Sequence, residues 1–463
     1  MPELPEKVVA LSRAIHESGG RALLVGGCVR DDLMGAQPKD WDLEVYQLDA
    51  ARLRAVLDQF GPVNIVGEAF TVYKLGHDLD VSIPRRERKA GRGHKAFVIE
   101  GDPGMDVLEA TKRRDFTINA ILQDPLTGEL IDPFHGQRDI DRRVVRAVSS
   151  ETFAEDSLRV LRAAQFASRF QFEIDPDTVE LCRAIDLSDL PAERIWGEFE
   201  KLLLRSSQPS VGLAWLQRLG AIEKLFPEIQ SLIGVPQDPE WHPEGDVFVH
   251  TQLVLDRVRE LIDGLAYPRQ VAVMLGALAH DFGKPATTKL LDGRWRSLGH
   301  DAAGVAPTER FLTRINVHTI DGYNVRGQVI ALVRDHLKPG EFFKKRDEVG
   351  EGAFRRLARR CEPDLLYRVA KADSLGRNAE WVPRERWYGA EAQEWFIERS
   401  RDLAVEVSPP DPILLGRHLL ELGVQPGPVM GEITRTVYEL QLDGRVKNLD
   451  DALTEAKKLI NHG

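Results

Sequence analysis

The chain has 463 residues, 43% hydrophobic and 29% charged, a balance that excludes both extensive disorder and membrane integration. That length exceeds one ordinary core and predicts three or more compact units. The net charge of −11 does not exclude a nucleic-acid partner, because phosphate contacts depend on where positive charge sits. Cys28, Cys182 and Cys361 are far apart and suit neither a disulfide framework nor a cysteine-rich zinc site. The opening residues Met1 to Lys7 lack signal-peptide architecture and no apolar run approaches a membrane span, so the expected location is a reducing cytoplasm with no membrane partner.

In chain order, four zones separate by pattern. Residues 1–147 mix strands and helices, with strand-like runs at 22–25, 42–46, 79–83 and 118–122. Residues 148–236 read as helical, as in Leu158 to Ala167 with its apolar spacing of three and four, and Gly234-Val235-Pro236 marks a boundary. Residues 237–378 are again helical and rich in histidine. Residues 379–463 begin with a Trp/Arg-rich connection and end in helices such as Asp450 to Ile460. The predicted fold class is an α+β head followed by all-α regions.

The chemistry starts at Gly26-Gly27-Cys28-Val29-Arg30-Asp31, a glycine pair after a buried-looking strand, where a missing side chain lets a phosphate approach the backbone. Asp40 and Asp42 flank Trp41, and alternation on a strand points both at one face, ready for a metal ion. Asp80, on another strand-like run, is a candidate third carboxylate. Hard divalent ions such as Mg²⁺ prefer such oxygen ligands and activate phosphoryl transfer. A turn with two solvated aspartates is the plain alternative for this stretch taken alone. From Val81 to Lys95 there are six basic residues (Arg85, Arg86, Arg88, Lys89, Arg92, Lys95) against Glu87, with Gly91 and Gly93 among them, which predicts a mobile basic loop. Further on, Lys112-Arg113-Arg114-Asp115 offers guanidinium forks for a triphosphate, and Asp and Asn119 suit a ribose. Asp156 and Arg159 are expected on one helix, three apart and therefore on one face, where they form either a surface ion pair or an acceptor and a donor that read a base edge.

Together, Gly26 to Asp31, Asp40-Trp41-Asp42, Arg113 to Ala120 and Glu155 to Arg162 resemble, in order and spacing, the class II tRNA nucleotidyltransferases, or CCA-adding enzymes. Ile131-Asp132-Pro133-Phe134 and Pro191 to Trp196 add to the likeness, which covers at least residues 22–236. The resemblance implies a nucleotidyltransferase head, a helical neck that holds the base, and a helical body that grips tRNA. It implies that Asp40 and Asp42 hold Mg²⁺ with Asp80 as third carboxylate, that Gly27, Arg30, Arg114 and Arg162 hold the triphosphate and ribose, and that Asp156 and Arg159 choose CTP or ATP. Gln165 stands where some members carry a further arginine. The basic stretch at 85–95 falls where the family has a flexible loop associated with the switch from C to A addition.

The third zone carries His250, His280-Asp281 and Asp373 in the order His…His-Asp…Asp, a set that can enclose a metal ion, with His300 and His336 as ligands for a second. This pattern is similar to HD phosphohydrolase domains, and Trp241-His242-Pro243-Glu244 resembles bacterial CCA enzymes that carry one. The likeness implies a divalent metal and hydrolysis of 2′,3′-cyclic and 2′-phosphates, in repair of damaged tRNA ends. The C-terminal stretch Gly416 to Pro428 is similar to the helical tail of several CCA enzymes, with either a tRNA-contacting or a packing role. The expected substrates are tRNA, CTP and ATP. Competing readings are a bacterial poly(A) polymerase, a CC-only or A-only enzyme, and a nucleotide-signalling enzyme that joins a synthetase to an HD hydrolase. The motif Glu155-Asp156…Arg159 argues against the last.

Overall fold

In this computed structural model, residues 4–66, 72–89 and 97–462 are described. Helix α1 (Glu6–Glu17) buries Val8, Leu11 and Ile15, three and four residues apart, so one stripe of the helix faces the core. That stripe packs with Leu24 of β1 (Arg21–Val25) and with Leu43 and Val45 of β2 (Trp41–Tyr46). Side chains on β1 alternate: Ala22 and Leu24 join this cluster, while Leu23 and Val25 face Tyr46, Met105 and Ala110 on the opposite side. Both faces of the sheet are therefore covered. Each fully buried aliphatic side chain of this kind contributes about 1.5–3 kcal/mol.

The remaining head strands are β3 (Val63–Val66), β4 (Val72–Leu75), β5 (Leu79–Ser82), β6 (Arg85–Lys89), β7 (Phe97–Gly101), β8 (Leu122–Gln123) and β9 (Leu130–Ile131). Seven of the head strands form one sheet in the order β3-β4-β5-β2-β1-β8-β9, antiparallel except where β2 runs parallel to β5. That single parallel pair sets Asp42 directly beside Asp80 in register. Between β1 and β2 comes the short helix α2 (Gly27–Leu33).

The chain divides into two compact units, Met1–Leu202 with Val211–Leu225, and Leu203–Ser210 with Phe226–Gly463. In the first, the helix Arg159–Phe170 follows the head sheet. In the second, the helix Tyr267–Ala279 is buried without interruption from Val271 to Ala279, and apolar on all sides it forms a centre for Val247–Arg259, Val325–Asp335 and Pro363–Leu375. Residues 414–456 carry a separate cluster of Leu414, Leu419, Ile433, Val437, Val446, Ala452 and Ala456. No described helix is long and apolar enough to cross a membrane.

The α+β head followed by helical regions is the fold class expected from the sequence, with local corrections. Residues 118–122 do not make one strand: Thr117–Asn119 is a 3-10 turn and only Leu122–Gln123 pairs with β1. The apolar run there is buried, but burial alone does not distinguish a turn from a strand. The basic stretch is not a loop throughout, because Arg85–Lys89 pairs as β6 with β7, whose aromatic and β-branched residues favour a strand. The part of the expected loop at 90–96, including Arg92 and Lys95, lies outside the described residues. The third zone also contains a hairpin, β12 (Thr288–Leu291) with β13 (Arg294–Ser297), after a short parallel pair β10 (Val144–Val145) and β11 (Glu173–Ile174). Its turn is Asp292-Gly293, both at positive φ, as a two-residue hairpin requires.

Candidate active sites

Gly26 sits at φ +73° between β1 and α2, a conformation in which an L side chain is strained. A Cβ there would lie 3.2 Å from Nη1 of Arg114, so the bare backbone and that guanidinium share one space. Arg114 lies 3.6 Å from Glu44, and its buried Nε has no hydrogen-bond partner. Asp42 is exposed, yet its carboxyl is pushed above the usual range by the protein packed around it and by repulsion from Asp80 and Asp40, with Arg114 pulling it back. Asp40 is exposed just before β2, close enough to repel Asp42. Asp80 is held by Lys74, whose Nζ donates to both carboxylate oxygens at 2.8 and 2.9 Å. Acidic oxygens that repel one another at the mouth of a phosphate-approach turn fit a hard divalent cation, and Asp40 and Asp42 are the pair open to it.

The other head and neck residues form one chain of bonds. Arg30 is buried and donates to Asp31 at 2.6 and 2.8 Å and to Asn119 at 2.5 Å, with its guanidinium over Phe166 and Phe170. Asn119 in turn donates to Asp115 at 3.0 Å, and Asp115 accepts from Arg162 at 2.7 Å. Burial would raise the Asp115 carboxyl, but Arg162, Asn119 and the Phe116 backbone hold it below the usual range. Gly27 is beside Arg30: a Cβ there would lie 3.5 Å from its Nη2. Gln165 is buried on the helix Arg159–Phe170.

Asp156 and Arg159 are arranged differently from the expectation of one helical face. The helix begins at Arg159, and Asp156 sits in the preceding turn, where its side chain accepts from the Leu158 backbone at 3.1 Å. Aspartate competes with helix formation by such local bonding, which is why the helix starts late. Asp156 is joined to Arg194 at 2.8 Å, and Arg159 donates to the carbonyls of Thr152 and Arg113 at 2.8 and 2.6 Å. Arg194, a partner that sequence pattern does not single out, stands in the Pro191-Ala192-Glu193-Arg194 stretch.

In the second unit, His250, His280, Asp281, Asp373, His300 and His336 converge from five segments. His250 lies on the helix Val247–Arg259, His280 and Asp281 follow Tyr267–Ala279, and Asp373 lies on Pro363–Leu375. His300 opens the short helix His300–Ala303, and His336 follows Val325–Asp335. The imidazoles share one orientation. Nδ1 of His280, His300 and His336 faces the carbonyls of Ala277, Ser297 and Val333 at 2.7, 2.7 and 2.6 Å, and Nδ1 of His250 lies 2.7 Å from Glu244. With Nδ1 of three rings bonded outward and that of His250 turned toward Glu244, Nε2 of each ring is left for the centre.

There, Nε2 of His250 is 3.1 Å from Asp373 and Nε2 of His280 is 3.2 Å from Asp281. His300 lies 3.4 Å from the other oxygen of Asp281 and 3.2 Å from His336. His280 Nε2 is buried without a hydrogen-bond partner. Burial and the neighbouring imidazoles push His336 down to about 4, so it is neutral near pH 7 and able to ligate. Nitrogen and carboxylate donors this close and this buried fit a divalent metal, and two overlapping sets share Asp281: His250 and His280 on one side, His300 and His336 on the other.

Gly283 makes the arrangement possible. A Cβ there would fall 2.0 Å from the His300 carbonyl, so only glycine lets the His300 helix approach the His-Asp pair. Glu244, marked in the sequence only as the last residue of Trp241-His242-Pro243-Glu244, joins the cluster in the structure. It is buried, it lies between His242 and His250 at 2.8 and 2.7 Å, and bonding to these rings overcomes burial to hold its carboxyl down at about 2. It follows the Gly234-Val235-Pro236 turn signals and precedes the helix that carries His250, so no helical or strand period points to it.

A mixed sheet that sets Asp42 beside Asp80, with Arg114 across the Gly26 turn, defines a nucleotidyltransferase head. The family described as the Poly A polymerase head domain matches residues 22–146, and the probable RNA and SrmB-binding site of polymerase A matches 171–233. A multifunctional CCA protein of Xanthomonas campestris pv. campestris (strain B100) is 38% identical over 404 residues, which span 83% of this chain and 92% of that one. The CCA-adding enzyme of Bacillus stearothermophilus in complex with CTP shares the fold, with a TM-score of 0.65 at 20% identity, covering 100% of this chain and 98% of that one. The Thermotoga maritima CCA-adding enzyme complexed with tRNA has a TM-score of 0.57 at 18% identity, covering 99% and 97%. The chain belongs to the class II tRNA nucleotidyltransferase family, the CCA-adding enzymes.

Proposed function

We propose that this protein adds C, C and A to the 3′ end of tRNA from CTP and ATP, without a nucleic-acid template. The tRNA 3′-hydroxyl attacks the α-phosphorus; the bond to the β-phosphate oxygen breaks, pyrophosphate leaves, and the hydroxyl proton passes to solvent or a carboxylate. Asp40 and Asp42 would hold Mg²⁺, which supplies activation of the attacking oxygen and offsets charge on the leaving group. Asp80, tied to Lys74, stands beside them as the third carboxylate. Arg114, with a donor still unpaired, holds the triphosphate over the Gly26-Gly27 turn. Arg30 and Arg162 are already engaged with Asp31, Asn119 and Asp115, so in this state they brace the nucleotide pocket, and direct contacts to the triphosphate or ribose require exchange of those bonds. Asp156 and Arg159 would read the base edge, with Arg194 fixing the aspartate. The observation that carries this reading is the register of Asp42 against Asp80 with Arg114 opposite. The test is incubation of tRNA lacking its three terminal nucleotides with CTP and ATP; addition of C, C and A supports the reading, and a long A tract would favour a poly(A) polymerase.

The domain organisation proposed is a head over 1–147, neck and body over 148–236, an HD domain over 237–378, and a C-terminal region over 379–463. For the HD domain we propose metal-dependent hydrolysis of 2′,3′-cyclic and 2′-phosphates. His250, His280, Asp281 and Asp373 would hold a divalent ion, with His300 and His336 toward a second, and the ion would supply activation of the attacking water. Water adds to phosphorus, one ribose oxygen leaves and takes a proton, and the cyclic diester becomes a monoester, or the monoester becomes phosphate and a free hydroxyl. Support comes from three imidazoles bonded outward to backbone carbonyls, with His250 set 2.7 Å from Glu244, around two carboxylates. Release of phosphate from adenosine 2′-phosphate, lost in His280→Ala/Asp281→Ala while nucleotide addition persists, tests it.

A further inference from the structure

The HD cluster lines a cavity of about 210 Å³ whose walls include Asp281, His300 and Asp373 of the cluster together with Trp241, Trp295 and Arg377. The two tryptophans come from separate segments, the stretch before the Val247–Arg259 helix and strand β13, and both are solvent-accessible: Trp241 is 52% exposed and Trp295 37%. Those segments are tied together. Arg294 of β13 donates to both carboxylate oxygens of Asp238 at 2.7 and 3.1 Å and lies 2.6 Å from Glu240. Lys284, which also lines the cavity, donates to Gln237 at 2.7 Å and lies 2.7 Å from Asp281. The hairpin is thereby held as a wall of the cavity rather than left as an independent flap.

Large aromatic faces are costly to leave in water, and a purely inorganic phosphate offers them nothing to bind. Arg377 adds a cation whose buried Nε lacks a hydrogen-bond partner, 3.9 Å from Asp373 at its Nη2. Flat aromatic surface next to a cation and a metal-ligand cluster is the combination that a phosphate carried on a nucleobase satisfies. We propose that Trp295 and Trp241 form a base-binding wall, so that the site takes a nucleoside phosphate: the phosphate by Arg377 and the ligand cluster, the base against the indoles. This rests on the phosphohydrolase reading of the cluster, and adds to it the group that selects nucleotides over other phosphate esters.

The probes are adenosine 2′-phosphate and glycerol 2-phosphate, which carries no ring. In Trp295→Ala, KM for adenosine 2′-phosphate is expected to rise about tenfold, the size of one lost base–aromatic contact. The kinetics with glycerol 2-phosphate should be unchanged, and Trp295→Phe should restore the nucleotide KM. Trp241→Ala should act in the same direction. Equal effects on both esters, or no effect on either, would overturn the proposal. Wild-type protein that hydrolyses neither ester would remove the phosphohydrolase reading alone. The wall would then be decided by the calorimetric dissociation constant of adenosine 2′-phosphate: about tenfold weaker in Trp295→Ala if the proposal stands, and unchanged if it fails.

Discussion

Arg162, on the helix that follows the head, donates through Nε to Oδ2 of Asp115 at 2.7 Å and so joins the neck to the Arg-Arg-Asp segment. The same carboxylate accepts from Asn119, which accepts from Arg30, so one aspartate links the arginines of α2 and the neck. In the proposed function the neck reads the base and the head performs the transfer, which requires one fixed geometry, and this part-buried network connects the two.

Removing one side of that pair leaves the half-buried Arg162 with Glu198, 3.6 Å away, as its remaining carboxylate. Asp115→Ala should therefore destabilise the head and neck by about 3 kcal/mol, since a broken buried pair costs more than an absent one. Denaturant unfolding followed by a head-specific probe measures it. Asp115 is held below its ordinary value, so its contribution is complete above about pH 4, the unfolded value, and is lost as pH falls through the lower folded value. Asp115→Asn should accordingly flatten the acid limb of the stability profile; an unchanged acid limb would remove Asp115 from this role.

In the proposed function Arg194, 2.8 Å from Asp156, positions that carboxylate for the base. Arg194→Met keeps much of the side-chain volume and releases the carboxylate. The expected outcome is weaker discrimination of CTP and ATP against UTP and GTP, with a KM increase of about tenfold for one lost charged hydrogen bond and a smaller change in kcat. A uniform loss for all four nucleotides would mark a purely structural role.

Glu244 braces His250 from outside the ligand cluster. Glu244→Gln should weaken divalent-metal binding by the HD cluster about 10–100-fold, the usual cost of losing the group behind a ligand histidine. Calorimetric titration with Mn²⁺ or Ni²⁺ reads this directly, and nucleotide addition should be unaffected. Gly283→Ala should act more severely at the same site, because a methyl group has no room beside the His300 carbonyl.

Much of this is legible in the sequence because periodicity and spacing carry it. The alternation around Trp41 gives β2 with Asp42 exposed between buried Trp41 and Leu43, although the strand starts one residue after Asp40, and the spacing of Leu158 to Ala167 gives the neck helix. What stays hidden depends on pairings that no periodicity shows. Asp80 on Lys74 follows from the β4–β5 register, and Asp156 on Arg194 spans 38 residues. The hairpin that carries Trp295 has a local signal in Asp292-Gly293, masked by surroundings that read as helical. Arg85 to Lys89 reads as loop from charge and nearby glycines, although the partner strand Phe97 to Gly101 is the stronger indication.

The most direct test of the central claim compares wild-type protein with Asp42→Ala on tRNA trimmed of its last three nucleotides, with labelled CTP and ATP and sequencing of the product. The wild type should add C, C and A, and the variant should add nothing while tRNA binding, measured by filter retention, persists. Full addition by Asp42→Ala would contradict the account.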